Sequence, residues 1–136
     1  MTNKCSLICR EVIDTYGIAV HELARKILAL LSEGLGQRAD LFDKKFPREA
    51  TTLRSILNYY PACPQPELAM GASEHTDGSI FTILQQGDVS GLEVLNEAAF
   101  STWVPVPPIP HAFVVNIGDC LQASNFSGET FMSLLN

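Results

Sequence analysis

The chain has 136 residues, 46% of them hydrophobic and 18% charged, which fits one folded domain and not a disordered segment. Nine Lys and Arg against fifteen Asp and Glu leave a net charge of −6. That balance argues against a nucleic-acid binder, which gains affinity by releasing counterions with cationic side chains, and against docking on an anionic membrane. No apolar run has the length of a bilayer span, and the first apolar stretch breaks at Arg10 and Glu11 without a small-residue cleavage site, so a cytoplasmic setting is expected. Cys5, Cys9, Cys63 and Cys120 make no disulfide framework and read as reduced thiols. No second Cys or His pair supports a metal site at Cys5 and Cys9.

The chain changes character near residue 50. Before it, Ile13, Tyr16, Val20, Leu23, Ile27 and Leu30 recur at spacings of three and four, which predicts one amphipathic helix over about Ser6 to Leu35. Gly17 is a candidate kink or close approach, and Gly34 and Gly36 supply the stop. A short second helix is expected over Ala39 to Phe46, ending before Pro47. After residue 50 the chain breaks into extended runs: Leu53 to Tyr60, Ile80 to Gln85, Leu92 to Leu95, Trp103 to Val106 and Ala112 to Ile117. Pro61, Pro64, Pro66, Pro105, Pro107, Pro108 and Pro110 are confined to connections or strand ends, because proline cannot donate to a ladder. The expected class is mainly β with an N-terminal helix, residues 1–50 packing on a β domain at 51–136.

His75-Thr76-Asp77 is the focus of chemistry. In extended backbone, residues two apart share a side, so His75 and Asp77 present an imidazole nitrogen and a carboxylate oxygen together while Thr76 points away. Such a mixed pair suits ferrous iron in a site of two histidines and one carboxylate. By itself a His-x-Asp tripeptide is more often a hydrogen-bonded surface pair. His21, on the polar flank of the first helix, reads as a solvated side chain, and His111, between Pro110 and an extended run, as a loop residue.

Longer motifs surround that tripeptide. Residues 53–77, with Asn58-Tyr59-Tyr60-Pro61 and then His75-Thr76-Asp77, closely resemble the plant-type 2-oxoglutarate- and Fe(II)-dependent dioxygenases, the family of flavonol synthase, anthocyanidin synthase and the gibberellin oxidases. The likeness continues through Phe81-Thr82-Ile83-Leu84-Gln85, Gly91-Leu92-Glu93-Val94, Trp103-Val104-Pro105-Val106-Pro107 and Phe113-Val114-Val115-Asn116-Ile117-Gly118-Asp119. Residues 1 to about 50 are similar to the helical segment before the family's catalytic core. The resemblance implies a partial double-stranded β-helix, a jelly roll, with His75 and Asp77 as iron ligands and Tyr60 and Asn58 at 2-oxoglutarate. It also implies Fe(II) as cofactor, 2-oxoglutarate and O2 as co-substrates, ascorbate as a supporting reductant, and hydroxylation or desaturation of a small organic metabolite of plant specialised metabolism.

The likeness stops near Gln122, and residues 123–136 diverge. Relatives carry a distal His, the third iron ligand, followed by Arg, and an Arg-x-Ser motif whose Arg pairs with the far carboxylate of 2-oxoglutarate. The His position falls at or near Phe131. No His follows His111 and no Arg follows Arg54. Five candidate strands also fall short of the roughly eight of a jelly roll. A second reading is therefore a catalytically inactive truncated fragment or splice product.

Overall fold

The N-terminal periodicity forms a helix of 31 residues, α1 (Lys4–Gly34). The computed structural model of the protein describes residues 4–47, 52–96, 101–122 and 134–135, with residues 4–8 and 134–135 described by backbone alone. Val20, Leu23 and Ile27 of the predicted stripe are half-buried, whereas Ile13, Tyr16 and Leu30 are exposed. Among the described residues a Cβ built on Gly17 meets nothing within 4 Å, so that glycine marks no close approach to them. The helix ends as Gly36 predicts. Gly36 takes a φ of 67°, its N–H donates to the Glu33 carbonyl, and the Gln37 N–H donates back to Ser32, each at 2.9 Å. This paired closure satisfies carbonyls that the last helical turn leaves open, and it needs a left-handed residue that glycine adopts without strain.

The short helix α2 (Leu41–Lys45) packs back on α1. Phe42 is fully buried, a burial that contributes roughly 1.5–3 kcal/mol, and its ring stacks on Phe46 at 6.2 Å. Arg25 on α1 and Asp43 on α2 form an ion pair at 2.5 Å. At the start of α2, the Arg38 guanidinium and then the Lys44 ammonium hold the Asp40 carboxyl well below the usual carboxylate range. That cluster is solvent-exposed and so fixes a local turn more than it stabilises the fold.

The chain divides into two compact units, Met1–Leu57 and Asn58–Asn136. In the second, four of the five expected extended runs form strands: β1 (Phe81–Leu84), β2 (Glu93–Asn96), β3 (Thr102–Pro105) and β4 (Val114–Ile117). A two-residue β5 (Leu134–Leu135) joins them. β1 pairs antiparallel with β4, setting Thr82 opposite Asn116 and Phe81 opposite Ile117. β2 is central in the other sheet, antiparallel to β3 on one side and β5 on the other. The two sheets meet through buried Leu92 and Val94, against which Leu84, Val106 and Val114 pack. Pro105 closes β3, where the missing donor costs no internal ladder bond.

The fifth expected run departs from the sequence reading. Leu53 to Tyr60 has no regular structure, and Leu53, Ile56, Leu57, Tyr59 and Tyr60 are 50–87% exposed. Apolar and aromatic composition gives a segment the capacity for a strand, but a strand exists only with a ladder partner. No described strand pairs with this one.

The connection from β3 to β4 contains a tight turn, with the Ala112 N–H donating to the Ile109 carbonyl at 3.1 Å. Pro110 takes the first central position and His111, at φ 62°, the second, the arrangement that favours glycine or asparagine there. His111→Gly is expected to raise stability by about 0.5–1 kcal/mol, the relief of left-handed strain less the entropy glycine adds to the unfolded chain. Urea unfolding checks it. Divalent-ion binding is expected to be unchanged, because His111 is an exposed turn residue.

Candidate metal centre

His75 occupies an isolated β bridge, and residues 76–78 lead on to β1 without regular structure. The predicted alternation holds. His75 Nε2 and Asp77 Oδ1 face each other at 3.8 Å, and the Thr76 hydroxyl donates elsewhere, to Asp119 Oδ2 at 2.8 Å. His75 Nδ1 lies 2.8 Å from the Ser73 carbonyl. A carbonyl only accepts, so Nδ1 carries a proton, and in the neutral tautomer that this fixes the lone pair lies at Nε2. Two electron-pair donors then face one another with no proton between them. A cation between the two would satisfy both. Two donors at right angles on an octahedral ion, each about 2.1 Å away, stand about 3 Å apart, so the pair needs to close by less than about 1 Å to share one ion. Protonated His75 would make an ion pair with Asp77, although 3.8 Å is long for a hydrogen bond.

The 77–80 backbone is held by the turn that follows β4. The Asp119 N–H donates to the Asp77 carbonyl at 2.7 Å, the Gly118 N–H to Ile80 at 2.9 Å and the Cys120 N–H to Ser79 at 3.2 Å. The Cys120 thiol donates to the Gly78 carbonyl. Gly118 is buried in this turn, and a Cβ there would overlap the Ser79 carbonyl oxygen.

The carboxylate has its own partner. Asn116 Nδ2 donates to Asp77 Oδ2 at 2.6 Å, leaving Oδ1 to face the imidazole. Because a carboxylate only accepts, the amide orientation is fixed and Asn116 Oδ1 must point the other way. That oxygen is buried and has no hydrogen-bond partner among the described residues. Leaving an acceptor in this state costs about 1–3 kcal/mol.

The structure therefore brings His75 and Asp77 together and adds Asn116, Gly118, Thr76 and Asp119 around them. Sequence reasoning assigned these four no role. The available signal was Asn116, a polar side chain within the apolar run Val114-Val115-Asn116-Ile117. Asn58 and Tyr60 lie exposed in the irregular 52–63 segment, and no described hydrogen bond joins either to His75 or Asp77. Among the described residues, no three His, Cys, Asp or Glu side chains cluster for a metal. Phe131 lies outside the described residues.

The family model of the 2OG-Fe(II) oxygenase superfamily matches residues 52–130, more than half of the chain and all of the pair described above. The chain belongs to that superfamily. Within it, the chain is 44% identical over 126 residues to jasmonate-induced oxygenase 2 of Arabidopsis thaliana, covering 92% of this chain and 33% of the relative. It is 42% identical over 123 residues to oxoglutarate-dependent flavonoid 7-O-demethylase 1 of Ocimum basilicum, covering 90% and 32%. The chain thus spans about a third of the length of the curated relatives it matches.

Among solved superfamily structures, that of JOX2 in complex with 2OG, Fe and JA superposes with a TM-score of 0.78 at 38% identity, covering 93% of this chain and 37% of that one. A full-length Neurospora crassa protein in complex with alpha-KG and 5-formyluracil, 21% identical and covering 93% and 41%, gives the same TM-score and shares the fold. The two packed sheets are thus part of a double-stranded β-helix preceded by a helix, as the sequence predicts. Fe(II) and 2-oxoglutarate are the cofactor and co-substrate of the superfamily. The donors fit iron as far as they go, an imidazole nitrogen and a carboxylate oxygen being two of the three groups of a two-histidine, one-carboxylate site.

Proposed function

We propose that residues 52–122 form the iron-gripping part of a 2-oxoglutarate- and Fe(II)-dependent oxygenase that hydroxylates or desaturates a small organic metabolite. The observation that carries the reading is the facing pair, with Ser73 fixing the His75 tautomer and Asn116 occupying the far oxygen of Asp77. His75 Nε2 and Asp77 Oδ1 would hold the ion, which when bound supplies the oxidation of substrate coupled to conversion of 2-oxoglutarate to succinate and carbon dioxide. Tyr60 and Asn58 would contact 2-oxoglutarate, with O2 as second co-substrate and ascorbate as supporting reductant. Among the described residues no helix has the length and apolarity to cross a membrane. Among the described residues Cys9, Cys63 and Cys120 form no disulfide, and a cytoplasmic setting is part of this reading.

A second reading, no turnover by these 136 residues themselves, is favoured by one observation: Phe131 stands at or near the position of the distal His, and no His lies between His111 and it. Two protein donors grip an ion less tightly than three. The two readings share the same metal pair and differ in the reaction. Incubation with Fe(II), ascorbate and 2-oxoglutarate is expected to give succinate at background for these 136 residues, while Mn(II) broadens the NMR signals of His75 and Asp77 first. Succinate above background, lost in His75→Ala, would establish turnover. Mn(II) broadening centred away from residues 75–77 would defeat both readings.

A further inference from the structure

We infer that Asn116 is a positioning residue: it turns the Asp77 carboxylate so that one chosen oxygen faces His75. The inference rests on the metal-pair reading and deepens it. Three observations lead to it.

The backbone beneath Asp77 is fixed without Asn116. The Asp119 N–H holds the Asp77 carbonyl and the Thr76 hydroxyl reaches Asp119, so the main chain at 76–77 is tied to the turn after β4 on its own account. What remains free at Asp77 is rotation of its side chain. That rotation decides whether one oxygen, both, or neither faces Nε2. Asn116 Nδ2, at 2.6 Å from Oδ2, removes the choice.

The placement of Asn116 is set by a rigid element. It sits on β4 opposite Thr82 of β1, two residues before the buried Gly118 that locks the 77–80 segment. One stretch of four residues, 116–119, therefore fixes both the main chain and the side chain of Asp77, with Asn116 lying 39 residues away in sequence.

The amide also carries a cost that a purely structural residue would not. Its Oδ1 is buried with no hydrogen-bond partner among the described residues, and reversing the amide would set two acceptors against each other. An apolar side chain on this strand would avoid that penalty. Asn at 116 is thus explained by what its N–H does for Asp77 and not by what it adds to the fold.

The test is Asn116→Val in the full chain, with thermal melting, Mn(II) titration followed by water-proton relaxation, and NMR couplings that report the Asp77 side-chain rotamer. The expected result is a melting temperature unchanged or raised, an Mn(II) affinity weaker by about 10- to 100-fold, and an Asp77 side chain averaging over rotamers. Unchanged Mn(II) affinity in a folded variant would overturn the inference, as would an Asp77 rotamer as fixed as in the parent. A lowered melting temperature would assign Asn116 to the fold instead. If the parent chain binds no Mn(II) at His75 and Asp77, the metal reading fails, and the Asn116 inference is decided by the rotamer couplings alone. Asn116→Ser, which retains a donor, provides a second variant if Val disturbs the strand. It is expected to recover part of the lost affinity, and no recovery in the folded variant would count against a donor role.

Discussion

Gly118→Ala is expected to destabilise the β unit by more than about 3 kcal/mol, beyond the usual range for an overpacked side chain, because the added methyl meets backbone and not a movable side chain. The Cβ would overlap the Ser79 carbonyl oxygen and lie 2.8 Å from that of Asp77. Both are contacts no relaxed structure tolerates. Relief requires the turn after β4 to back away from the 77–80 segment. That movement breaks the hydrogen bonds from Gly118 to Ile80, Asp119 to Asp77 and Cys120 to Ser79 together. The metal pair is held by the same bonds, so Mn(II) binding should disappear in step with the loss of structure. Urea unfolding read by tryptophan fluorescence from Trp103 measures the first effect. Gly87→Ala is the control: its Cβ meets nothing within 4 Å, and the change should cost less than about 1 kcal/mol. Equal effects at the two glycines would show that the clamp does not control the unit's stability.

What the sequence made legible follows the range of the interactions involved. The α1 helix, the Gly36 stop and the confinement of proline to connections or strand ends depend on residues within a few positions of each other, and all three appear in the structure, although Ile13, Tyr16 and Leu30 of the predicted stripe are exposed. Four strands were readable because each carries its apolar alternation locally and finds a partner. Leu53 to Tyr60 carries the same local signal and forms no strand, since pairing is decided by residues elsewhere in the chain. The metal pair was legible for a related reason: His75 and Asp77 are two apart, and extended backbone alone sets them side by side. Asn116 and Gly118 were not, because their roles depend on the β1–β4 register and on a turn closing against residues 77–80. A polar residue inside an apolar strand signalled that something was to be held there, without indicating what.

That register makes the most conservative change at the centre the most damaging to metal binding. Asp77→Asn preserves size and shape, yet Asn116 dictates how the new amide must lie. Asn116 Nδ2 now donates to Oδ2 of Asp77. In the variant only the amide oxygen can accept that bond, so the oxygen turns toward Asn116 and the NH2 group takes the place of Oδ1. The atom facing the ion is then a hydrogen-bond donor without a usable lone pair, and the negative charge is gone. His75 Nε2, 3.8 Å away in the parent, gains a donor to accept from, which favours the metal-free form further. Mn(II) affinity is expected to fall by at least about 100-fold, beyond the loss expected for a supporting residue. The melting temperature should stay within a few degrees of the parent, because the backbone bonds at 77–80 are untouched. The double variant Asp77→Asn with Asn116→Val frees the amide to turn its oxygen outward, so it is expected to bind Mn(II) more tightly than Asp77→Asn alone. Binding no tighter in the double variant would mean that the amide's orientation is not what excludes the ion.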